Sequence, residues 1–267
     1  MSLDAWWAAY LLIGAVVGFL AGLLGIGGGM VMVPMLVFVF SAKGFPAEHM
    51  MHLVIATSMS TILFTSLSSV RAHHQRGAVD WQIARAIAPG ILAGSFAASM
   101  IAGLISTRPL AMFFTGFMFY AATQMFFHVK PNGTRELPGP VGLFAVGGTI
   151  GALSSLVAAG GAFLSIPFLA WCNVPLRRAI GTAAAIGFPI ALAGSVGYAL
   201  NGLRVPGLPA GSFGYIQVPA LLLVAATSML AAPWGARLAH HMPIAKLRVV
   251  FALMLYALGG RMLWTLW

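Results

Sequence analysis

Residues 18–36 read GFLAGLLGIGGGMVMVPML, and residues 151–169 read GALSSLVAAGGAFLSIPFL. Set in register without gaps, the two stretches share Gly18/Gly151, Leu20/Leu153, Leu23/Leu156, Gly27/Gly160, Gly28/Gly161, Pro34/Pro167 and Leu36/Leu169. Each lies in a run without Lys, Arg, Asp or Glu, residues 5–42 in one case and 137–176 in the other. A membrane helix needs about 20 apolar residues, so each run is too long for one span. Glycine interrupts both, as Gly25-Ile26-Gly27-Gly28-Gly29 and as Ala158-Ala159-Gly160-Gly161-Ala162. A glycine inside a helix costs about 1 kcal/mol relative to alanine. The pattern therefore predicts two short helices joined by a break at membrane depth. Irregular backbone survives there only where it faces protein or a water-filled cavity.

The rest of the chain fits this reading. Further uncharged runs cover 52–70, 86–107, 109–129, 179–203 and 205–236. Of 267 residues, 60% are hydrophobic and 7% charged, which leaves too little polar surface for a water-exposed domain. Ala56-Thr57-Ser58 faces Gly181-Thr182-Ala183, and Met118 and Tyr120 face Met254 and Tyr256. The expected fold is all-α: a polytopic transmembrane helical bundle of two inverted repeats with glycine-broken helices, about 8–10 segments in all. Residues 1–130 form the first repeat, 131–140 a polar linker rich in turn residues, and 141–267 the second repeat. Asp4, Trp6 and Trp7 suit an interfacial anchor rather than a secretory signal, so an uncleaved first helix is expected.

The inversion comes from the basic residues. If each broken pair makes no net crossing, Arg71, Arg76, Arg85, Lys130, Arg135, Arg177, Arg178, Arg237, Lys246 and Arg248 share one side. Lys43, Arg108, Arg204 and Arg261 take the other. If each pair counts as one crossing, the split evens out. Cytoplasmic loops are enriched in Lys and Arg, so the first arrangement is favoured. It leaves an odd number of crossings per half, which inverts the halves and puts both termini outside the cytoplasm. A multi-pass protein of the inner (cytoplasmic) membrane is expected, with the lipid bilayer as its surroundings. The net charge of +10 is spread over short connections, without the basic stripe that nucleic acid requires.

The acids are Asp4, Glu48, Asp80 and Glu136, all in expected tails or loops. Enzymes built on paired membrane carboxylates, and cation pumps built on a buried carboxylate relay, lack their acids here. His73-His74 and His240-His241 lie beside arginine without a carboxylate, a poor metal site. No metal and no cofactor are expected, and Cys172 is read as a packing residue. An anion is what the residues suit. Backbone N–H groups at a helix N-terminus are unpaired and carry partial positive charge, and glycine lets an anion approach them. The helices starting near Met30 and Phe163 present such ends. The candidate substrate-binding residues are Gly27, Gly28, Gly29, Thr57, Ser58, Gly160, Gly161 and Thr182. The serines and threonines of 57–69 have a second reading as helix-packing groups.

These residues carry a resemblance. Gly25-Ile26-Gly27-Gly28-Gly29 before Pro34, then Ala56-Thr57-Ser58, then His74-x-Arg76-Gly77-x-Val79-Asp80-Trp81, resemble the sulfite exporter TauE/SafE family. Pro175-x-Arg177-Arg178-Ala179-x-Gly181-Thr182 resembles it in the second half. The resemblance implies transport of sulfite, sulfonates or other organosulfur anions. The chain departs from the family at Ser155, Ala158, Ala159 and Ala162, where glycines are usual. The function expected is a secondary transporter of a small anion working by alternating access, with export favoured. An anion channel and a membrane-embedded enzyme are the alternatives. The sequence leaves room for a homo-oligomer.

Overall fold

The apolar runs become helices, and glycine, proline and polar clusters end them. The computed structural model describes residues 3–24, 28–127, 133–239 and 244–266. Its first five helices are α1 (Leu3–Leu24), α2 (Gly29–Ala42), α3 (Met50–Gln75), α4 (Trp81–Ala102) and α5 (Thr107–Phe126). The second five are α6 (Pro140–Leu156), α7 (Ala162–Trp171), α8 (Leu176–Gly202), α9 (Val218–Ala239) and α10 (Ile244–Leu266). Asp80 caps α4 by accepting from the backbone N–H groups of Gln82 and Ile83. Pro140 opens α6, where its missing N–H has no intrahelical acceptor to lose. Residues 6–23, 47–75, 81–102, 176–202 and 218–235 are long and apolar enough to cross a membrane. The uncharged run 205–236 is only partly helical. It begins with a loop and a two-residue hairpin, β1 (Ser212–Phe213) against β2 (Ile216–Gln217).

Hydrogen bonds fix which helix ends lie together. At one end, Lys43 after α2 donates to Tyr10 of α1, and Thr107 of α5 donates to the Glu48 carbonyl before α3. Asn201 of α8 donates there to the carbonyls of Ser99 and Met100 near the end of α4. At the opposite end, Arg177 of α8 donates to the Arg76 carbonyl after α3. The N–H groups of Thr134 and Arg135, ahead of α6, reach the carbonyl of Trp171, which closes α7. The α1–α2 pair therefore starts and finishes at the Lys43 end, and the α6–α7 pair starts and finishes at the Arg177 end. Neither pair makes a net crossing. Helices α3, α4 and α5 alternate direction from the Lys43 end, and α8, α9 and α10 alternate from the Arg177 end. The two five-helix sets are inverted.

The packing obeys the same symmetry. Helix α1 lies along α9, while α6 lies along α4. Helices α3 and α8 pack on each other, as do α5 and α10. Small residues allow the first two contacts. A Cβ on Gly18 of α1 would collide with the backbone of Ser228 in α9, and one on Gly151 of α6 with the Ile91 carbonyl and Ser95 hydroxyl of α4. Gly14, Gly22 and Gly147 are equally crowded by the partner helix. Transmembrane helices approach this closely only where side chains are absent or small. Each half thus clamps its first helix onto the fourth helix of the other.

Cys172, between α7 and α8, is buried, in keeping with a packing role. Burial pushes its thiol above the usual range, with Arg135 pulling the other way. Less thiolate means slower alkylation. At pH 7.5, maleimide is expected to label Cys172 in intact membranes at least about tenfold more slowly than after denaturation, read by intact-mass spectrometry.

Candidate functional site

The two glycine breaks meet at mid-depth. Gly28 caps α2, and its carbonyl accepts from Val31 and Met32. In the second break, Gly161 caps α7 at φ +78 and accepts from Leu164 and Ser165. A Cβ on Gly29 would collide with the Ala158 carbonyl oxygen, and would lie 2.8 Å from Ile62 Cδ1. A Cβ on Gly160 would lie 3.6 Å from Ile62 Cγ2, and one on Gly187 of α8 would lie 2.9 Å from the Gly160 carbonyl oxygen. Ile62 sits midway along α3, and Gly187 midway along α8. The breaks are therefore held against the two central helices and touch each other. Both α2 and α7 begin there, so the unpaired first N–H groups of both helices lie at this level.

The second break carries strain and spare polarity. Ala158 sits at φ +46, in the left-handed region that costs a side-chain-bearing residue roughly 1–2 kcal/mol. Ser154 before the break and Ser165 after it are fully buried, and neither hydroxyl oxygen has a hydrogen-bond partner. A buried hydroxyl left unpaired costs about 1–3 kcal/mol. Both flank the second break. Sequence reading had passed over both serines, although the duplicated motif contains them.

The other candidates are placed as follows. Gly28, Gly29, Gly160 and Gly161 come together at the breaks, and Gly27 lies outside the described residues. His240 and His241 do so as well. Thr57 and Thr182 are not brought together. Thr57 Oγ1 donates to the Leu53 carbonyl at 2.6 Å and accepts from the Gln217 N–H at 3.0 Å, near the Lys43 end. Thr182 Oγ1 accepts from the Asp80 N–H at 2.9 Å, near the Arg177 end. The Ser60–Ser195 hydrogen bond of 3.2 Å sets the register of α3 on α8. On that register the two threonines stand on the order of 20 Å apart along the helices.

They do the same job, however. Each ties a central helix to the residue just before the fourth helix of the other half, Gln217 before α9 and Asp80 before α4. Ser58 is buried with its hydroxyl unpartnered. Thr61, Thr65 and Ser66 donate to carbonyls three or four residues back, which is the packing role the sequence also allowed.

His52 was also missed. It is the ionisable side chain of the first turn of α3, and it is buried. Among the described residues, no group of three or more His, Cys, Asp and Glu could hold a metal ion.

With this geometry in hand, comparison with known proteins is specific. The family model described as sulfite exporter TauE/SafE matches residues 10–262. A probable membrane transporter protein of Haemophilus influenzae is 34% identical over 253 residues, covering 94% of this chain and 96% of that one. A probable membrane transporter protein of Methanocaldococcus jannaschii, MJ0441, is 26% identical over 95% of this chain and 94% of its own length. The probable membrane transporter protein YdhB of Bacillus subtilis is 24% identical over 85% and 87%. No solved structure matches the chain.

Proposed function

Because the chain belongs to the sulfite exporter TauE/SafE family, we propose that this multi-pass membrane transporter carries a small anion, a sulfur oxyanion or organosulfonate, by alternating access. The observation that carries the reading is the meeting of two helix starts at mid-depth beside the unpartnered hydroxyls of Ser154 and Ser165. Helix N-termini attract negative charge, and hydroxyls add donors. The one acid in the five long apolar spans, Glu48, is exposed in the first residues of 47–75 and lies beside His49. Inverted repeats with broken helices at the midplane are a transporter architecture.

The threonine ties act as the two gates in this proposal. Thr182 closes the Arg177 end on Asp80, and Thr57 closes the Lys43 end on Gln217. Arg71, Arg76, Arg85, Arg135, Arg177, Arg178 and Arg237 belong to the Arg177 end, which supports a cytoplasmic position for it. Across a membrane with a negative interior, each exported negative charge gains about 2.3 kcal/mol per 100 mV. On this ground export of an anion needs no coupling ion to drive it.

The test is flux of sulfite and of methanesulfonate from proteoliposomes under an imposed potential. Outward movement of negative charge should speed up with the potential, and saturate with substrate. Thr57→Val and Thr182→Val should each change flux at least about threefold, while shifting the exposed face of the bundle in opposite senses, read by labelling cysteines placed at either end. Absence of flux for both anions would overturn the reading. Unsaturable currents would replace the carrier by a channel.

A further inference from the structure

His52 is 3% exposed and lies inside the 47–75 span. Its Nε2 is 2.9 Å from the Ala102 carbonyl oxygen at the end of α4. A carbonyl only accepts, so Nε2 carries the hydrogen and, in the neutral ring, Nδ1 is left as an acceptor. Nδ1 is buried and has no partner. The ring stacks on Tyr215 with centroids 4.9 Å apart and planes 26° apart. Tyr215 stands in the β1–β2 hairpin, two residues before Gln217, whose N–H is held by Thr57.

This hairpin is a plug. Tyr215, Ile216 and Gln217 are buried, and the hairpin is seated on the last turn of α8, where side chains at Gly202 or Gly214 would collide with backbone. Two more buried polar atoms without partners belong to it, Gln217 Oε1 and Ser212 Oγ. The titratable groups around His52 are Tyr215 and His49, the latter with its ring centroid 6.3 Å away and itself 3.7 Å from the Glu48 carboxylate. Arg108 in the first turn of α5 and Arg204 in the loop after α8 are the other charged side chains on the neighbouring elements.

We propose that His52 is a proton-binding site that controls this plug, so that proton loading and anion passage at the Lys43 end are linked. The proposal rests on the transporter reading above and adds a coupling ion to it. Two features carry it. First, an imidazolium has two N–H donors, and the second, on the buried and unpartnered Nδ1, must find an acceptor. Tyr215, stacked on the ring, belongs to the hairpin, so a displacement of the charged ring acts through it on the Gln217–Thr57 tie. Second, a buried cation is costly unless a counter-charge accompanies it, and the acid of this span, Glu48, is exposed and lies 3.7 Å from His49. An arriving anion supplies that counter-charge. Histidine is the side chain whose ordinary titration falls between pH 5 and 8.

The experiment uses the full chain in lipid nanodiscs with isotope-labelled histidine, without substrate. Seven histidines give seven imidazole signals, and His52→Gln identifies the one sought, glutamine retaining an N–H for Ala102. The His52 signal should pass from the Nε2–H neutral form to the doubly protonated form between pH 8 and 5. Methanesulfonate, charged throughout that range, should show at least about a fivefold dependence of wild-type flux on pH, flattened in His52→Gln. If the variant does not fold, the wild-type signal can be assigned by the hydrogen bond of its Nε2–H to the Ala102 carbonyl, since the His49 ring also touches Tyr215. A His52 ring that stays neutral to pH 5 would overturn the proposal, as would an unchanged pH profile in His52→Gln. A titrating His52 with no wild-type flux would instead sink the anion reading and leave the proton site standing.

Discussion

Replacing Gly29 with leucine is expected to lower anion flux at least about 100-fold while leaving assembled protein in the membrane. The first side-chain atom would occupy the space of the Ala158 carbonyl oxygen and would crowd Ile62 Cδ1. The Ile62 methyl can swing aside, but the Ala158 carbonyl is backbone, so the two breaks must separate. Overpacking of this kind costs typically 1–3 kcal/mol, and about 1.4 kcal/mol is a factor of ten in rate. The fold should survive because the interlock of α1 with α9 and of α6 with α4 lies elsewhere. Ala158→Gly is the matched control. It removes a side chain from a left-handed position and should preserve flux. Proteoliposome flux, with size-exclusion profiles for both variants, checks this. Wild-type flux in Gly29→Leu would show that the breaks are not on the transport path.

The second large effect is on assembly. Gly18→Leu and Gly151→Leu each drive a side chain into the backbone of the facing helix, at Ser228 and Ile91 respectively. A loss of about 3 kcal/mol or more is expected, enough to lower the melting temperature of the solubilised protein by about 10 °C. Gly116→Leu on α5 should be neutral, since a Cβ there meets nothing within 4 Å. Fluorescence-detected thermal unfolding compares the three. A normal melting point for Gly18→Leu would mean that α1 does not clamp onto α9.

The spans, the breaks and the inversion were legible in the sequence because each rests on a local property: apolar length, glycine placement, and basic residues in short loops. The partners were not. Nothing local tells that Gly18 faces Ser228, more than 200 positions away, rather than a neighbour in its own half. The threonines misled for the same reason. Thr57 and Thr182 occupy matching places in a duplicated pattern, and duplication was read as convergence on one pocket. Under an inverted two-fold relation, matching residues away from the axis fall at opposite ends, which is where both stand. Ser154 and Ser165 were hidden by composition, since buried serine is ordinary in membrane helices. His52 was hidden by attention to histidine pairs. The hairpin at 212–217 lay inside an uncharged run and carried no charge to betray a loop.

The exchange of first helices also has a consequence for biogenesis. When α1 leaves the ribosome, the surface that will cover its glycine ridge has not been made. About 200 residues separate the end of α1 from α9, and synthesis at roughly 5–20 residues per second takes about 10–40 s to deliver them. During that wait the helix must be sheltered by lipid or by the insertion machinery. A nascent chain halted before residue 218 should accordingly remain sensitive to proteases and quality control, however well its first half is inserted.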